Sequence, residues 1–235
     1  MAARGWARAP LLCVGSDHLP PLSEKRADGS VWGMRVDVVN FVADRLSIAV
    51  RHDAFPWARA QDMVAIGEAD MFCAARTPER ESYALFTETR IIPSPIGAYY
   101  FLGSPKARQL AQVKTRADLN GLTVVTYLGN GGAEQFYGSP ELRMLPTAEL
   151  ALRALVAGRA DVFIDGTSFA PWAIKSIGLN DVIQGHPLET PASFDLHLGI
   201  RRSHPDCTTM IADFNSAIDL AWRSGDLSRI LAVYS

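Results

Sequence analysis

The sequence predicts an α/β protein in which helices cover mostly parallel sheets. Three observations carry this expectation. Short apolar runs alternate with stretches whose apolar residues recur at helical spacing. Several of the helical stretches end in a glycine and lead straight into a buried run. One such passage also occurs twice: VAIGEADMF at Val64–Phe72 and LVAGRADVF at Leu155–Phe163. The two copies lie too far apart for a solenoid repeat. They fit two lobes built on one plan, and equally the ordinary recurrence of helix–glycine–strand in any α/β chain.

The elements follow in order. Leu11–Gly15 reads as a buried strand. Arg35–Leu46 reads as a helix with Val36, Val39, Val42, Ala43 and Leu46 inward, and Ala49–Phe55 as a strand. Ala58–Ile66 is a helix stopped by Gly67, which can take the left-handed conformation that ends a helix. Met71–Ala74, Gly97–Leu102 and Thr123–Leu128 read as strands, the second rich in aromatics. The glycine-rich turn Gly129–Gly132 leads into a helix at Ala133. Thr147–Ala157 is a helix stopped by Gly158, and Val162–Ile164 is a strand. Thr167–Ile177 reads as a helix with Pro171 near its first turn. Leu198–Arg201 is a short strand. Thr208–Arg223 is a helix with Ile211, Phe214, Ile218, Ala221 and Trp222 inward, and Asp226–Val233 is a final short helix.

Composition narrows the function. The chain has 235 residues and a net charge of −2, so no basic excess points to nucleic acid or an anionic membrane. Cys13, Cys73 and Cys207 are odd in number and far apart, which gives no disulfide framework and no zinc spacing. The histidines (His18, His52, His186, His197, His204) lack ligand spacing as well, so no metal and no cofactor are expected. No apolar run approaches the roughly 20 residues that span a bilayer. The N-terminal stretch with Arg4 and Arg8 lacks the apolar region of an export signal.

In open α/β sheets, ligands sit beyond the carboxyl ends of the strands. Those ends are Gly15–Asp17, Cys73–Arg80, Leu128–Gly132 and Ile164–Thr167. Arg80, in Thr77-Pro78-Glu79-Arg80, can offer its planar fork to a carboxylate. It can also be a surface residue pairing with Glu79 or Glu81. Tyr127-Leu128-Gly129-Asn130-Gly131-Gly132 can turn backbone N–H groups toward an anion, or can simply be a turn; it matches neither the phosphate-loop nor the dinucleotide fingerprint. Asp17 can cap a turn or accept an ammonium. Trp57 can pack in the core or floor a pocket. Asp165 can cap the next helix or face a cation. No nucleophile arrangement stands out.

Taken together, these segments resemble the family 3 periplasmic solute-binding proteins, the amino-acid-binding components of ABC importers. The resemblance runs from about Leu11 to Tyr234. It rests on Leu11-Cys13-Val14-Gly15, Pro20-Pro21, Gly33-x-x-Val36-Asp37-Val38, Pro56-Trp57 and Gly67-Glu68-Ala69-Asp70. It continues through Thr77-Pro78-Glu79-Arg80, Leu119-Asn120-Gly121-Leu122-Thr123-Val124, Gly158-Arg159-Ala160-Asp161-Val162 and Asp226-Leu227.

The resemblance implies a two-lobed clamshell of the type II periplasmic-binding fold. Residues 1–95 with 191–235 would form one lobe and 96–190 the other. Gly97–Leu102 and the stretch near Leu196–Ile200 would be hinge strands, and the lobes would rotate shut on a ligand. It implies a monomeric periplasmic receptor that takes up a small carboxylate-bearing solute and hands it to a membrane permease. Arg80 would grip the carboxylate, Trp57 would form an aromatic wall, Gly131 would be a backbone donor, and Tyr127 and Asp17 would be further contacts. Two positions depart from the family pattern. Ala75 stands where a small hydroxyl residue helps hold the carboxylate. Gly166 stands where an aspartate binds the ligand's α-ammonium, with Asp165 one residue early. A one-residue step turns a strand side chain to the opposite face. The resemblance therefore implies a carboxylate more firmly than an α-amino acid. Two alternatives share the fold: the sensing domain of a signalling receptor, and a cyclohexadienyl-dehydratase-like enzyme. The expectation is a binding protein and not an enzyme.

Overall fold

The computed structural model describes residues 9–138 and 141–234. Arg4 and Arg8, weighed above as part of an export signal, lie outside the described residues. The chain divides into two compact units. One runs to Ile92 and resumes at Asp195, and the other is Pro93–Phe194. The strands Ile96–Phe101 and His197–Arg201 therefore lie inside the units, and the chain passes from unit to unit just before each of them.

The first unit opens with β1 (Leu11–Ser16), the short strands β2 (His18–Leu19), β3 (Ser23–Lys25) and β4 (Val31–Trp32), and α1 (Met34–Arg45). It continues with β5 (Val50–Phe55), α2 (Trp57–Ala65), β6 (Met71–Ala74), α3 (Pro78–Tyr83) and β7 (Ala84–Phe86). The second unit contains β8 (Ile96–Phe101), α4 (Ala107–Leu110), β9 (Val124–Tyr127), α5 (Gly131–Tyr137) and β10 (Arg143–Leu145). After these come α6 (Ala148–Val156), β11 (Val162–Gly166), α7 (Ala170–Ser176) and β12 (Ile183–Pro187). The chain then returns to the first unit as β13 (His197–Arg201), α8 (Cys207–Arg223) and α9 (Asp226–Ala232).

Each unit is built on a five-stranded sheet, in the order β5-β1-β6-β13-β7 in the first and β10-β9-β11-β8-β12 in the second. In each sheet one strand, β13 or β8, runs against the other four. The α/β architecture and the mostly parallel strand direction agree with the sequence.

The repeated passage performs the same structural task in both units. Gly67 (φ 85°) ends α2 and Gly158 (φ 66°) ends α6, a conformation that L side chains rarely adopt. Asp70 then accepts from the Leu12 N–H at 2.9 Å, and Asp161 accepts from the Thr123 N–H at 2.9 Å. Each aspartate satisfies a donor at the start of the neighbouring parallel strand. Each also holds a cation from the antiparallel strand or the turn after it: Arg201 with Asp70, Lys106 with Asp161. A chance likeness of motif would not reproduce both contacts, so the two units share one plan.

The core follows from strand alternation. In the second unit Phe163 and Val125 pack with α6 and α7 through Leu152, Leu155, Ala170 and Ile174. Val162 and Ile164 face the other way, toward Leu119, Leu122 and Tyr137. In the first unit Val14, Phe72 and Phe86 pack against Ala60 and Val64 of α2.

Two differences from the sequence reading matter. The inward face of α1 is Met34, Arg35, Val38, Val39, Val42 and Ala43, with Val36 and Leu46 only half-buried. The stripe is rotated because Arg35, charged yet 1 % exposed, finds acceptors inside. The short elements β2, β3, β4, α3, β7, β10 and β12 gave no periodic signal, since each is too short or too polar to show one.

Candidate functional site

The carboxyl ends of the first unit's parallel strands gather four of the sequence-predicted residues. Ser16 at the end of β1 stands beside Phe55 at the end of β5, and the Asp17 N–H donates to Phe55 O at 2.9 Å. Trp57 follows two residues later at the start of α2. β6 ends at Ala74, so Ala75 begins the next loop. Thr77 caps α3, its hydroxyl accepting from the Arg80 N–H at 3.3 Å, and Pro78 occupies the first turn. This cap aims the Arg80 side chain back across the strand ends.

Arg80 is 4 % exposed. Its Nε donates to Gln61 Oε1 at 2.8 Å and its Nη1 to Ala75 O at 3.0 Å. The guanidinium carbon lies 5.5 Å from the centre of the Trp57 ring, within cation–π range. The Tyr83 phenol also hydrogen-bonds it, and burial pushes that phenol up to about 12, with Arg80 pulling the other way. Glu81, weighed above as a surface partner for Arg80, is paired with Arg76, whose Nη2 lies 2.7 Å from Glu81 Oε1. Arg80 is thus a permanent cation held in one orientation between a ring face, an amide and a main-chain carbonyl. Ala75 takes part through its carbonyl. The half-buried Asp17 carboxylate makes no hydrogen bond or ion pair among the described residues.

Behind the end of β1 lies a second buried cation that the sequence reading missed. Arg35 donates from Nη1 to Cys13 O (3.4 Å) and Cys13 Sγ (3.2 Å), and from Nη2 to Ser23 Oγ (3.2 Å) and Asp53 O (3.5 Å). It also lies 3.2 Å from His52 Nδ1, while His52 Nε2 lies 2.8 Å from Asn40 Oδ1. Asn40 Oδ1 can only accept, so Nε2 carries the ring proton and Nδ1 accepts from Arg35. Burial, with the Arg35 charge beside it, holds the imidazole down at about 4. The guanidinium lies flat on Gly15, where a Cβ would meet Arg35 Cζ at 2.7 Å.

In the second unit, Tyr127 ends β9 and Gly131 begins α5. The Gly131 N–H donates to Gly129 O at 2.9 Å and the Asn130 N–H to Tyr127 O at 3.1 Å, which closes the turn. Asn130 holds the turn from within. Its Oδ1 accepts from the Ala133 N–H at 3.2 Å, and its Nδ2 donates to Thr126 Oγ1 at 3.0 Å and to Asp165 Oδ1 at 3.3 Å.

Asp165 lies on the same face of β11 as Phe163, the face that packs on α6 and α7, and is 2 % exposed. Its Oδ1 also accepts from the Gly166 N–H at 2.8 Å, while its Oδ2 is buried with no partner among the described residues. Burial pushes this carboxyl up to about 7 against the pull of those two hydrogen bonds. Gly166 lies on the opposite face, and a Cβ there would run into Ser94 Oγ and come within 2.9 Å of the Phe169 ring. The place where the resemblance implies a carboxylate is filled by the Ser94 side chain.

Gln61, Tyr83, Thr126 and Asn130 were not singled out from the sequence. Only Asn130 carried a local signal, three residues before Ala133 where a helix cap belongs. Among the described residues no group of His, Cys, Asp and Glu side chains could hold a metal ion, and no helix is long and apolar enough to cross a membrane. Cys13, Cys73 and Cys207 are free and buried.

Residues 11–235 match the family model of the bacterial extracellular solute-binding proteins, family 3. No curated protein sequence matches the chain. Among solved structures, a histidine kinase sensor domain with similarity to periplasmic binding proteins aligns with TM-score 0.77 at 19% identity, covering 96% of this chain and 95% of that one. The arginine-, lysine-, histidine-binding protein ArtJ of Geobacillus stearothermophilus aligns with TM-score 0.72 at 19% identity, covering 96% and 95%. An ancestral amino acid-binding protein described as a precursor of cyclohexadienyl dehydratase aligns with TM-score 0.72 at 19% identity, covering 97% and 95%. At these identities the likeness is one of fold.

Proposed function

The chain belongs to the bacterial extracellular solute-binding proteins of family 3, and from that premise we propose that it is an extracytoplasmic receptor for a small carboxylate-bearing solute. It acts as a monomer in the periplasm, delivers its solute to an ABC-type membrane permease, and performs no covalent chemistry. The observation that carries this reading is Arg80: a buried guanidinium at the carboxyl ends of parallel strands, oriented by Gln61 and Ala75 against Trp57. Such a cation favours a carboxylate, because a charge-assisted pair formed away from water is stronger than one at the surface. Trp57 supplies an apolar wall and Asp17 a further polar contact, and the Tyr127–Gly131 turn is the second unit's own candidate solute contact.

The solute is an amino acid or a related carboxylate, and an α-ammonium on it would not be held by Asp165. Gly166 supports this with its lack of a side chain, and Asp165 does so with its burial on the far face of the strand. Asp17, a carboxylate with no partner among the described residues at the same strand ends as Arg80, is the group left to accept such an ammonium. A sensory role is the second reading, favoured by the likeness to a histidine kinase sensor domain. Both readings share the same solute chemistry.

The test is a thermal-shift screen that pairs each carboxylate with its neutral amide: dicarboxylates, 2-oxo acids, amino acids and opines. A ligand present at a hundred times its Kd raises stability by about 2.7 kcal/mol. The reading requires a shift with a carboxylate and none with its amide. Equal shifts from acid and amide, or shifts confined to sugars or cations, would refute it.

A further inference from the structure

We propose that Asp165 is a positioning residue: through Asn130 its ionisation sets the geometry of the Tyr127–Gly131 turn, and it does not touch the solute. The inference rests on the proposed role of that turn as a solute contact, but the test below separates the two.

The geometry forms a chain of contacts. Asp165 Oδ1 accepts from Asn130 Nδ2, and the same Nδ2 donates to Thr126 Oγ1. Thr126 Oγ1 in turn donates to Ile164 O at 3.1 Å, which ties β9 to β11. The other end of the Asn130 amide caps α5 at Ala133. One side chain therefore connects a buried carboxyl to the first turn of a helix and to the loop before it. The carboxyl itself cannot reach a solute, being 2 % exposed and on the face that packs against α6 and α7.

Oδ2 is what makes the arrangement responsive. It is buried with no partner among the described residues, so nothing anchors a negative charge there. The group balances between two forms. The carboxylate accepts strongly from Asn130, and the acid accepts weakly, because a hydrogen bond to an ionised acceptor is roughly twice as strong as one to a neutral acceptor. The titratable group facing Asp165 is the Tyr99 phenol on β8, which burial and the Asp165 charge keep protonated. Asn130, Thr126 and Gly166 carry no charge, and no charged side chain contributes to the Asp165 shift.

The test is an NMR pH titration of the ligand-free protein, following the Asn130 side-chain amide and the Gly131 and Ala133 backbone amides. In the wild type all three shift together with one midpoint near neutral pH. In Asp165→Asn the shared inflection disappears, because the amide keeps an acceptor but does not ionise. A role confined to packing would leave these signals flat in both proteins. Flat signals in the wild type, or an inflection that persists in Asp165→Asn, overturn the proposal. Solute binding adds a second readout: affinity for the carboxylate identified in the screen is about fivefold higher at pH 8 than at pH 6 in the wild type, and equal at both in Asp165→Asn. A coupled NMR titration with no carboxylate solute found would reject the proposed function and leave the positioning role standing. Carboxylate binding with flat NMR signals would do the reverse.

Discussion

Replacing Gly15 by alanine places a methyl group against the Arg35 guanidinium, at 2.7 Å from Cζ and 2.8 Å from Nη2. Ordinary contact needs about 3.5 Å or more, so one group must move by close to 1 Å. Arg35 is held by Cys13, Ser23 and His52, and it is 1 % exposed, so it has no open space to move into. Overpacking of a filled interior costs about 1–3 kcal/mol. Loosening one hydrogen bond from a charged donor adds about 1.5 kcal/mol or more. We expect Gly15→Ala to lose about 3 kcal/mol, read as a fall in the urea midpoint at unchanged m-value. For a chain of this size that corresponds to a drop in Tm of about 9 °C. The cause is isolated by a double-mutant cycle. In an Arg35→Leu background the clash is relieved, and Gly15→Ala costs less than about 1 kcal/mol. A loss below 0.5 kcal/mol in the wild-type background (about the size of an ordinary surface substitution), or equal losses in both backgrounds, would refute the reasoning.

Further predictions concern titration and capping. His52 is neutral when folded, held at about 4, against 6.5 for the free group. Its contribution to stability is present above pH 6.5 and is lost as pH falls toward 4, by up to about 3 kcal/mol. Asp165 works in the opposite sense: its folded value is raised to about 7 from 3.8, so its contribution is present at low pH and lost as pH rises through 7. Urea stability of Asp165→Asn should therefore rise with pH between 4 and 6.5, and adding His52→Gln should flatten that rise; a slope unchanged by the second substitution would discount His52. Asn130→Ala removes the α5 cap and a donor to a buried carboxyl, and is expected to cost about 2 kcal/mol in urea unfolding and to speed exchange of the Ala133 amide.

Much of this architecture could be read from the chain. The buried runs at β1, β6 and β11 are continuous because both faces of their sheets are covered. The glycine stops at Gly67 and Gly158 were legible because a left-handed position leaves glycine as the natural choice. Arg80 drew notice because Thr77-Pro78-Glu79-Arg80 follows a buried strand at whose carboxyl end a ligand sits; the Thr77 cap and first-turn Pro78 became visible only with the fold. Its partner Gln61 drew none, because only the fold brings α2 and α3 together; Tyr83 lies three residues on in Arg80's own helix, a spacing that carries meaning only where a helix is expected, and this one is too short to show a period. Arg35 was missed for a different reason: a charge in an apolar stripe reads as a residue for the outside, and its acceptors are two main-chain carbonyls and the Cys13, Ser23 and His52 side chains, which only the fold brings together. The one-residue offset of Asp165 was visible, since strand alternation makes parity decisive. Its link to the helix cap was not visible, because Asn130 and Asp165 meet only through the pairing of β9 with β11.

The central claim is that Arg80 binds a carboxylate. Its most direct test is isothermal titration of the wild type, Arg80→Lys and Arg80→Ala with the tightest-binding carboxylate from the screen and with its amide. Truncating one partner of a buried charge pair costs about 2–5 kcal/mol. Arg80→Ala should therefore weaken carboxylate binding by about a hundredfold or more while changing amide binding little. Arg80→Lys should recover only part of the loss, because an ammonium cannot reproduce the bidentate fork. Carboxylate affinity within about threefold of wild type in Arg80→Ala, below 1 kcal/mol, would contradict the account.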